Sequence, residues 1–232
     1  LARELGVTLK SDHNVTSIVV EQGRAQGLEI NGTTLSFDKV LSGADYHHTE
    51  TLLPKNYRQY SQAYWSKRTF APSSLLFYVG FEKQIQNVEH HTLFFDVPFE
   101  KHAESIYDDP KWPEEPLFYA SFPSKTDDSA APEGKEAGIF LIPLAVGIQD
   151  TPELREIYFE KIMTRFEFLT GQSVKKSIIF KESFCLNDFI NDYNSYKGNA
   201  YGLANTLMQT AFLRPKLKSK KVDGLFFTGQ LT

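Results

Sequence analysis

Apolar residues at Leu154, Tyr158, Ile162, Phe166 and Leu169 recur at three- and four-residue steps, which places them on one face of a helix. Thr151-Pro152-Glu153 supplies the start of that helix. Threonine is a good N-cap, proline suits the first turn, and glutamate complements the positive helix end. Gly171 closes it. Most other apolar positions alternate or form short runs, as in strands. "VTSIVVE" (Val15–Glu21), "AQGLEI" (Ala25–Ile30) and "TTLSFDKVLSG" (Thr33–Gly43) predict a β-meander ending at "SGAD". "EQGR" and "NGT" are its turns, and Asn-Gly is a strong hairpin signal. Before the meander, Leu1–Leu5 reads as the tail of a helix capped by Gly6, and Val7–Leu9 as a short strand.

After Asp45 the texture changes. "YHHTETLLPKNYRQYSQAYWSK" reads as helical or irregular, and aromatic. Strands follow at "PSSLLFYVGF", "HHTLFFDV", "LFYASFP", "GIFLIPLAV" and "VKKSIIFKES", with Pro-, Ser- and Asp-rich loops between residues 108 and 137. "NDFINDY" is a short helix or turn, and "VDGLFFTG" is the last strand. The expected fold class is α+β: a mixed sheet with packed helices, plus a partial β-meander. Both ends break off inside structure, so the chain is expected to be part of a longer protein.

Composition narrows the function classes only a little. The 232 residues, 41% hydrophobic and 23% charged, describe one or two globular domains. A net charge of −4 gives no basic footprint for nucleic acid. The one basic cluster is Arg214, Lys216, Lys218, Lys220 and Lys221, which fits a solvated loop or an anionic membrane surface. Cys185 is the sole cysteine, between Phe184 and Leu186, and reads as a buried structural thiol. No apolar run reaches the ~18–20 residues that span a bilayer.

Catalytic spacings are missing. There is no G-x-S-x-G, Walker loop, His-Glu-x-x-His or G-x-G-x-x-G. His47-His48 and His90-His91 are adjacent pairs, which on a strand point to opposite faces, so no metal is expected. Asp108-Asp109 and Asp127-Asp128 lie in polar loops, and Asp188/Asp192 suit capping or surface roles. No side chain is assigned a catalytic role, and any redox chemistry would fall to a cofactor.

One long stretch carries almost no charge: "YKGNAYGLANTLMQTAFLRPK", with none between Gly198 and Leu213. With its neighbours, in "NDYNSYKGNAYGLANTLMQTAFLRPKLKSKKVDGLFFTGQLT", it resembles the C-terminal part of bacterial phytoene desaturases and related carotenoid desaturases. "NVTSIVVEQGRAQGLEINGTTLSFDKVLSGADYHHTETLL", "APSSLLFYVGF" and "EHHTLFF" resemble the middle of the same family. The resemblance implies a flavoprotein with a discontinuous FAD domain, here residues 1–45 and 215–232, and an inserted substrate domain, residues 46–214. The family's dinucleotide motif would lie before Leu1, so this chain by itself is expected neither to hold FAD tightly nor to turn over substrate.

By resemblance, Val15 matches the position whose backbone meets the adenine half of FAD, and Ala44, Gly229 and Gln230 match loops near the cofactor. Small residues at such strand ends also let a backbone approach a flat group. The implied reaction removes two hydrogens from a long polyene, by hydride transfer to flavin and loss of a neighbouring proton. An apolar polyene is the expected partner, and a charge lining its path would be desolvated with nothing to pair. Tyr201, Leu203, Leu207 and Ala211 in the uncharged run are therefore the expected substrate-lining residues. The basic cluster beyond would face the membrane, at its cytoplasmic side. A retinoid saturase-like flavoenzyme and a flavin-free module binding apolar ligands remain open alternatives.

Overall fold

The computed structural model describes residues 1–232, which form two compact units. The first comprises Leu1–Arg68 and Thr206–Thr232, the second Thr69–Asn205. These bounds differ from the textural boundaries at 45/46 and 214/215. Residues 46–68 go with the first unit because their aromatic rings pack there: Tyr46 lies flat on Phe227, with Tyr60 and Trp65 against it.

In the first unit, β1 (Val15–Glu21), β2 (Arg24–Ile30) and β3 (Thr33–Ser36) form the expected antiparallel meander. Its turns place Gln22 and Gly23, then Asn31 and Gly32, at positive φ, as two-residue hairpins require. The third predicted strand does not run on to Gly43. It stops at Ser36, and β4 (Val40–Ser42) leaves the meander to pair in parallel with β10 (Leu225–Phe227). Parallel neighbours need a long crossover, and here the second unit is inserted between them in sequence. Helices α1 (Tyr46–Thr51) and α2 (Gln62–Ser66) follow β4. The expected helix tail at Leu1–Leu5 is only a turn, too short to propagate, and Val7–Leu9 is exposed and pairs with no strand.

The second unit is built on five strands. β5 (Ser73–Phe81), β6 (His91–Phe94), β7 (Phe118–Ser121), β8 (Glu136–Leu144) and β9 (Ile178–Phe184) lie in the order β6-β7-β8-β5-β9. Every pairing is antiparallel, so the α+β class holds but the sheet is not mixed. β8 alternates buried and half-buried residues along its whole length, the signature of a sheet with one covered face. Three helices complete the unit: α3 (Phe99–Tyr107), α4 (Pro152–Thr170) and α5 (Leu186–Tyr193).

The covered face packs on α4. Thr151 Oγ1 accepts from Leu154 N at the start of α4, and Gly171 ends it at φ 67°. Phe159 meets Phe77 at 4.9 Å, and Phe166 sits against Phe94, Phe122 and Phe140 at 5.3–6.0 Å. The buried stripe turns slightly from the predicted one. It ends on Thr170, and Leu169 is partly exposed.

His102 on α3 is buried and ties the residue before β7 to β8. Nδ1 accepts from Leu117 N at 2.9 Å, so Nε2 carries the proton and donates to Pro143 O at 2.8 Å. Burial pushes its pKa below the ordinary 6.5. The neutral ring is therefore the folded form. Its contribution to stability is complete above about pH 6.5 and falls away as the pH drops through that value, where the unfolded chain takes up a proton first. His48 in the first unit is shifted the same way by burial. Thermal melts from pH 7.5 to 5.5 should show a falling Tm, and His102→Gln should flatten the part of that slope that His102 causes.

Candidate functional site

Two features stand out, one in each unit. The first is the corner where β4 and β10 end. Thr228 N donates to Ser42 O at 2.9 Å, the last rung of the parallel ladder. Beyond it the chains diverge into Gly43-Ala44-Asp45 and Thr228-Gly229-Gln230. A Cβ on Gly43 would lie 3.8 Å from Thr228 Cγ2, and one on Gly229 would lie 3.8 Å from Gly43 O. Gly229 also holds φ 120°, which disfavours side-chain-bearing residues. Gly43, Ala44, Gly229 and Gln230 are all exposed. Thus the two loops lie within van der Waals reach of each other at Gly43 and Gly229, at the carboxyl ends of parallel strands. Open α/β sheets bind ligands at such strand ends. Neither glycine carries a side chain that would keep a ligand from its backbone, and both are exposed. Of the residues expected at the cofactor, Ala44 lies just after β4, and Gly229 and Gln230 just after β10. Val15 lies apart in the meander sheet, opposite Ile30.

The corner is underpinned by an aromatic cage that pattern reading missed. Asp45 Oδ1 accepts from His48 N at the start of α1, and Ser42 Oγ and Thr49 Oγ1 are 2.7 Å apart. Glu50, buried in the same unit, accepts from Gln59 N, Tyr60 N and Trp65 Nε1. Burial raises its pKa above the ordinary carboxylate value, against the pull of these hydrogen bonds. A surface pocket of about 400 Å³ opens beside it, lined by His47, Tyr60, Trp65, Lys55, Arg58 and Lys221 among others. The sequence shows the tyrosines and tryptophan but not that they enclose a carboxylate.

The second feature is the open face of the five-stranded sheet. The strand register sets Leu93, Tyr119, Leu141, Leu76 and Phe184 side by side, one from each strand. This apolar row crosses four strand spacings of ~4.8 Å, about 19 Å in all. Its members are half-buried, apart from the exposed Leu93. Phe189 of α5 covers the Phe184 end at 4.8 Å. The row beside it reads His91, Ser121, Ile139, Tyr78 and Glu182, with an imidazole at one edge and a carboxylate at the other.

The expected substrate-lining residues divide between the units. Tyr201 and Leu203 belong to the second, Leu207 and Ala211 to the first. Leu203 is a core residue at 3% exposure, and it forms a β-bridge with Phe70. Leu207 is 91% exposed, Met208 71% and Phe212 79%. Ala211 lines a shallow surface pocket with Arg214, Lys216, Lys218 and Lys220. Tyr201 is 55% exposed, so the uncharged run mixes core residues with exposed apolar surface along its length.

Cys185 is fully buried, and its thiol is pushed up to about 12, chiefly by burial. It is an inert core thiol, as its neighbours suggested. His90 and His91 do not point to opposite faces. His90 precedes β6, and the two rings stack at 4.2 Å. His91 Nδ1 pairs with the Tyr119 hydroxyl and His90 Nδ1 with Thr126 Oγ1. No group of three or more metal-ligating side chains forms among the described residues. No helix is long and apolar enough to cross a membrane.

Comparison with known proteins bears on the whole chain. The family described as flavin containing amine oxidoreductase matches residues 1–232. The chain is 42% identical over 236 residues to the carotenoid 3,4-desaturase of Haloarcula japonica, covering all of this chain and 47% of that protein. It is 29% identical over 244 residues to a 4,4'-diapophytoene desaturase (4,4'-diaponeurosporene-forming) of Staphylococcus haemolyticus, covering all of this chain and 48% of that protein. The chain spans about half the length of the curated relatives it matches. Among solved structures, an oxidoreductase from Methanosarcina mazei aligns with a TM-score of 0.56 at 14% identity, over 94% of this chain and 43% of that one. A reduced UDP-galactopyranose mutase aligns with a TM-score of 0.53 at 12% identity, over 78% of this chain and 36% of that one. At these identities the two structures speak for the fold alone.

Proposed function

Because this chain belongs to the flavin containing amine oxidoreductase family over its whole length, we propose that it is part of an FAD-dependent desaturase that withdraws hydrogens from a long apolar polyene. The observation that carries the substrate class is the uncharged row Leu93–Tyr119–Leu141–Leu76–Phe184 on the open sheet face. A polyene has almost no polar handle, so its binding free energy must come from apolar surface removed from water, about 25 cal/mol per Å². A flat apolar strip about 19 Å wide suits such a chain and offers little to a small polar substrate.

FAD, when bound, supplies the two-electron acceptor. Ala44, Gly229 and Gln230 would hold it through their backbones at the β4/β10 corner. The apolar row orients the polyene and excludes water from it. The row holds no carboxylate, imidazole or amine, so it contributes binding and geometry to the reaction. The full-length protein tests the reading. It should purify with an oxidised-flavin spectrum and convert an acyclic carotenoid to a product absorbing at longer wavelength. Flavin-free protein that still binds carotenoid would favour a ligand-binding module. Flavin with turnover of retinoids only would favour a saturase-like enzyme.

A membrane supplies such a substrate, and the exposed residues Leu207, Met208, Phe212 and Leu217 lie in sequence beside Arg214, Lys216, Lys218, Lys220 and Lys221. We read this segment as lying against an anionic bilayer, on its cytoplasmic side. Apolar side chains enter the interface, and each basic residue adds about 1 kcal/mol near an anionic surface. Co-sedimentation with phosphatidylglycerol-containing vesicles should exceed that with phosphatidylcholine alone and weaken with salt. Replacing Leu207, Met208 and Phe212 together by serine should lower partitioning at least about tenfold. Equal partitioning of that variant would remove the segment from the interface.

A further inference from the structure

The β4/β10 ladder is only three residues long on each side, too short to fix the two loops of the corner by itself. Something else must set their separation. Tyr46, the first residue of α1, comes two positions after Ala44. Phe227, the last residue of β10, immediately precedes Thr228-Gly229-Gln230. Their rings stack face to face, with centroids 3.8 Å apart and planes within 8°. Both rings are buried.

The tyrosine is anchored at its other end. Its hydroxyl donates to Lys216 O at 3.0 Å and accepts from Gln59 Nε2 at 2.8 Å. Gln59 Oε1 in turn accepts from Lys220 N at 2.7 Å. Tyr60 and Trp65 pack on the ring at 5.7 Å each, and Glu50 fixes the backbone of residues 59 and 60 together with the Trp65 indole. Burial, with Tyr60 and Glu50 nearby, keeps the phenol protonated throughout the accessible pH range. Tyr46 is thus held by the cage on one side and presses on Phe227 on the other, joining the roots of both loops.

We propose that the Tyr46–Phe227 stack is a positioning brace for the cofactor corner, setting the gap between Gly43-Ala44-Asp45 and Thr228-Gly229-Gln230 and so the affinity of those loops for flavin. This rests on the flavin reading above. Tyr46 acts through the loops, because its hydroxyl is taken up by two hydrogen bonds and its ring is enclosed by protein. What the brace requires is a planar ring at position 46. Apolar volume alone does not replace it, since leucine cannot stack on Phe227.

The test uses the full-length protein stripped of flavin. FAD is titrated back by flavin fluorescence, the visible circular dichroism of the bound flavin is recorded, and apoprotein Tm is measured in parallel. Tyr46→Leu should weaken FAD binding at least about tenfold and alter the flavin dichroism. Tyr46→Phe, which keeps the stack and loses the hydroxyl, should stay within about threefold of wild type. Phe227→Leu breaks the same stack from β10 and should match Tyr46→Leu. Phe159→Leu, a core substitution in the second unit, controls for stability loss and should leave FAD affinity unchanged. Wild-type affinity in Tyr46→Leu or Phe227→Leu would overturn the brace. So would a loss in Phe159→Leu as large as theirs, or failure of Tyr46→Phe to restore binding. A wild-type protein that binds no FAD would instead refute the flavin reading.

Discussion

Leu141→Asp in the full-length enzyme should lower polyene turnover about a hundredfold while leaving the flavin spectrum intact. Leu141 sits in the middle of the open sheet face, directly opposite Tyr119 on β7 and Leu76 on β5. It is half-buried, so an aspartate there is tolerated by the fold more readily than one in the core. A bound polyene would cover that carboxylate and give it no partner. Partial desolvation then costs about 2–4 kcal/mol, against the roughly 1.4 kcal/mol that corresponds to each tenfold in kcat/KM. Leu141→Met keeps volume and apolarity and should remain within about threefold of wild type. Steady-state kinetics with both variants, alongside thermal melts, separates loss of binding from loss of fold. Unchanged turnover in Leu141→Asp would take the substrate off this face.

Phe166→Ala should cause the largest loss of stability. Phe166 is fully buried on α4 and contacts Phe94, Phe122 and Phe140, so it joins β6, β8 and the segment after β7 to the helix. Truncation removes its transfer free energy and leaves a cavity walled by three rings that cannot collapse together. The expected cost is about 3–5 kcal/mol. For a protein of this size each kcal/mol lowers Tm by roughly 2–4 °C, so a drop on the order of 10 °C is expected. Phe168→Ala, only two residues away but exposed, should change Tm by less than about 2 °C. Equal effects from the two substitutions would contradict the observed orientation of α4.

The elements were legible where pattern and punctuation agree. Thr151, Pro152 and Gly171 marked both ends of α4, and the Gln22-Gly23 and Asn31-Gly32 turns marked the meander. What failed was pairing, which depends on residues distant in sequence. Nothing local in "TTLSFDKVLSG" says that Val40–Ser42 abandons its neighbour for Leu225–Phe227, nearly the whole chain away. The same long-range packing moved residues 46–68 into the first unit. Their rings read as generic aromatic content until Phe227 is seen beneath Tyr46.

The candidate site was legible in part for the same reason. Small residues after two strands pointed to the corner, where Ala44 follows β4 and Gly229 and Gln230 follow β10. The apolar sheet face was invisible because its row takes one residue from each of five strands, and only register aligns them. Conversely, the uncharged run looked like a uniform lining. Its first half sets the exposed Tyr201 beside Leu203 in the core, while Leu207, Met208 and Phe212 are exposed. An absence of charge alone does not distinguish a buried segment from an exposed apolar surface.

Anaerobic mixing of the purified full-length flavoprotein with an acyclic carotenoid, followed by its visible spectrum, tests the central reading most directly. Oxidised-flavin absorbance should be lost as the polyene band moves to longer wavelength, in equal molar amounts, and Leu141→Asp should slow both changes together by about a hundredfold. A polyene that shifts while the flavin stays oxidised, or a flavin that is reduced at the wild-type rate in Leu141→Asp, would contradict that reading.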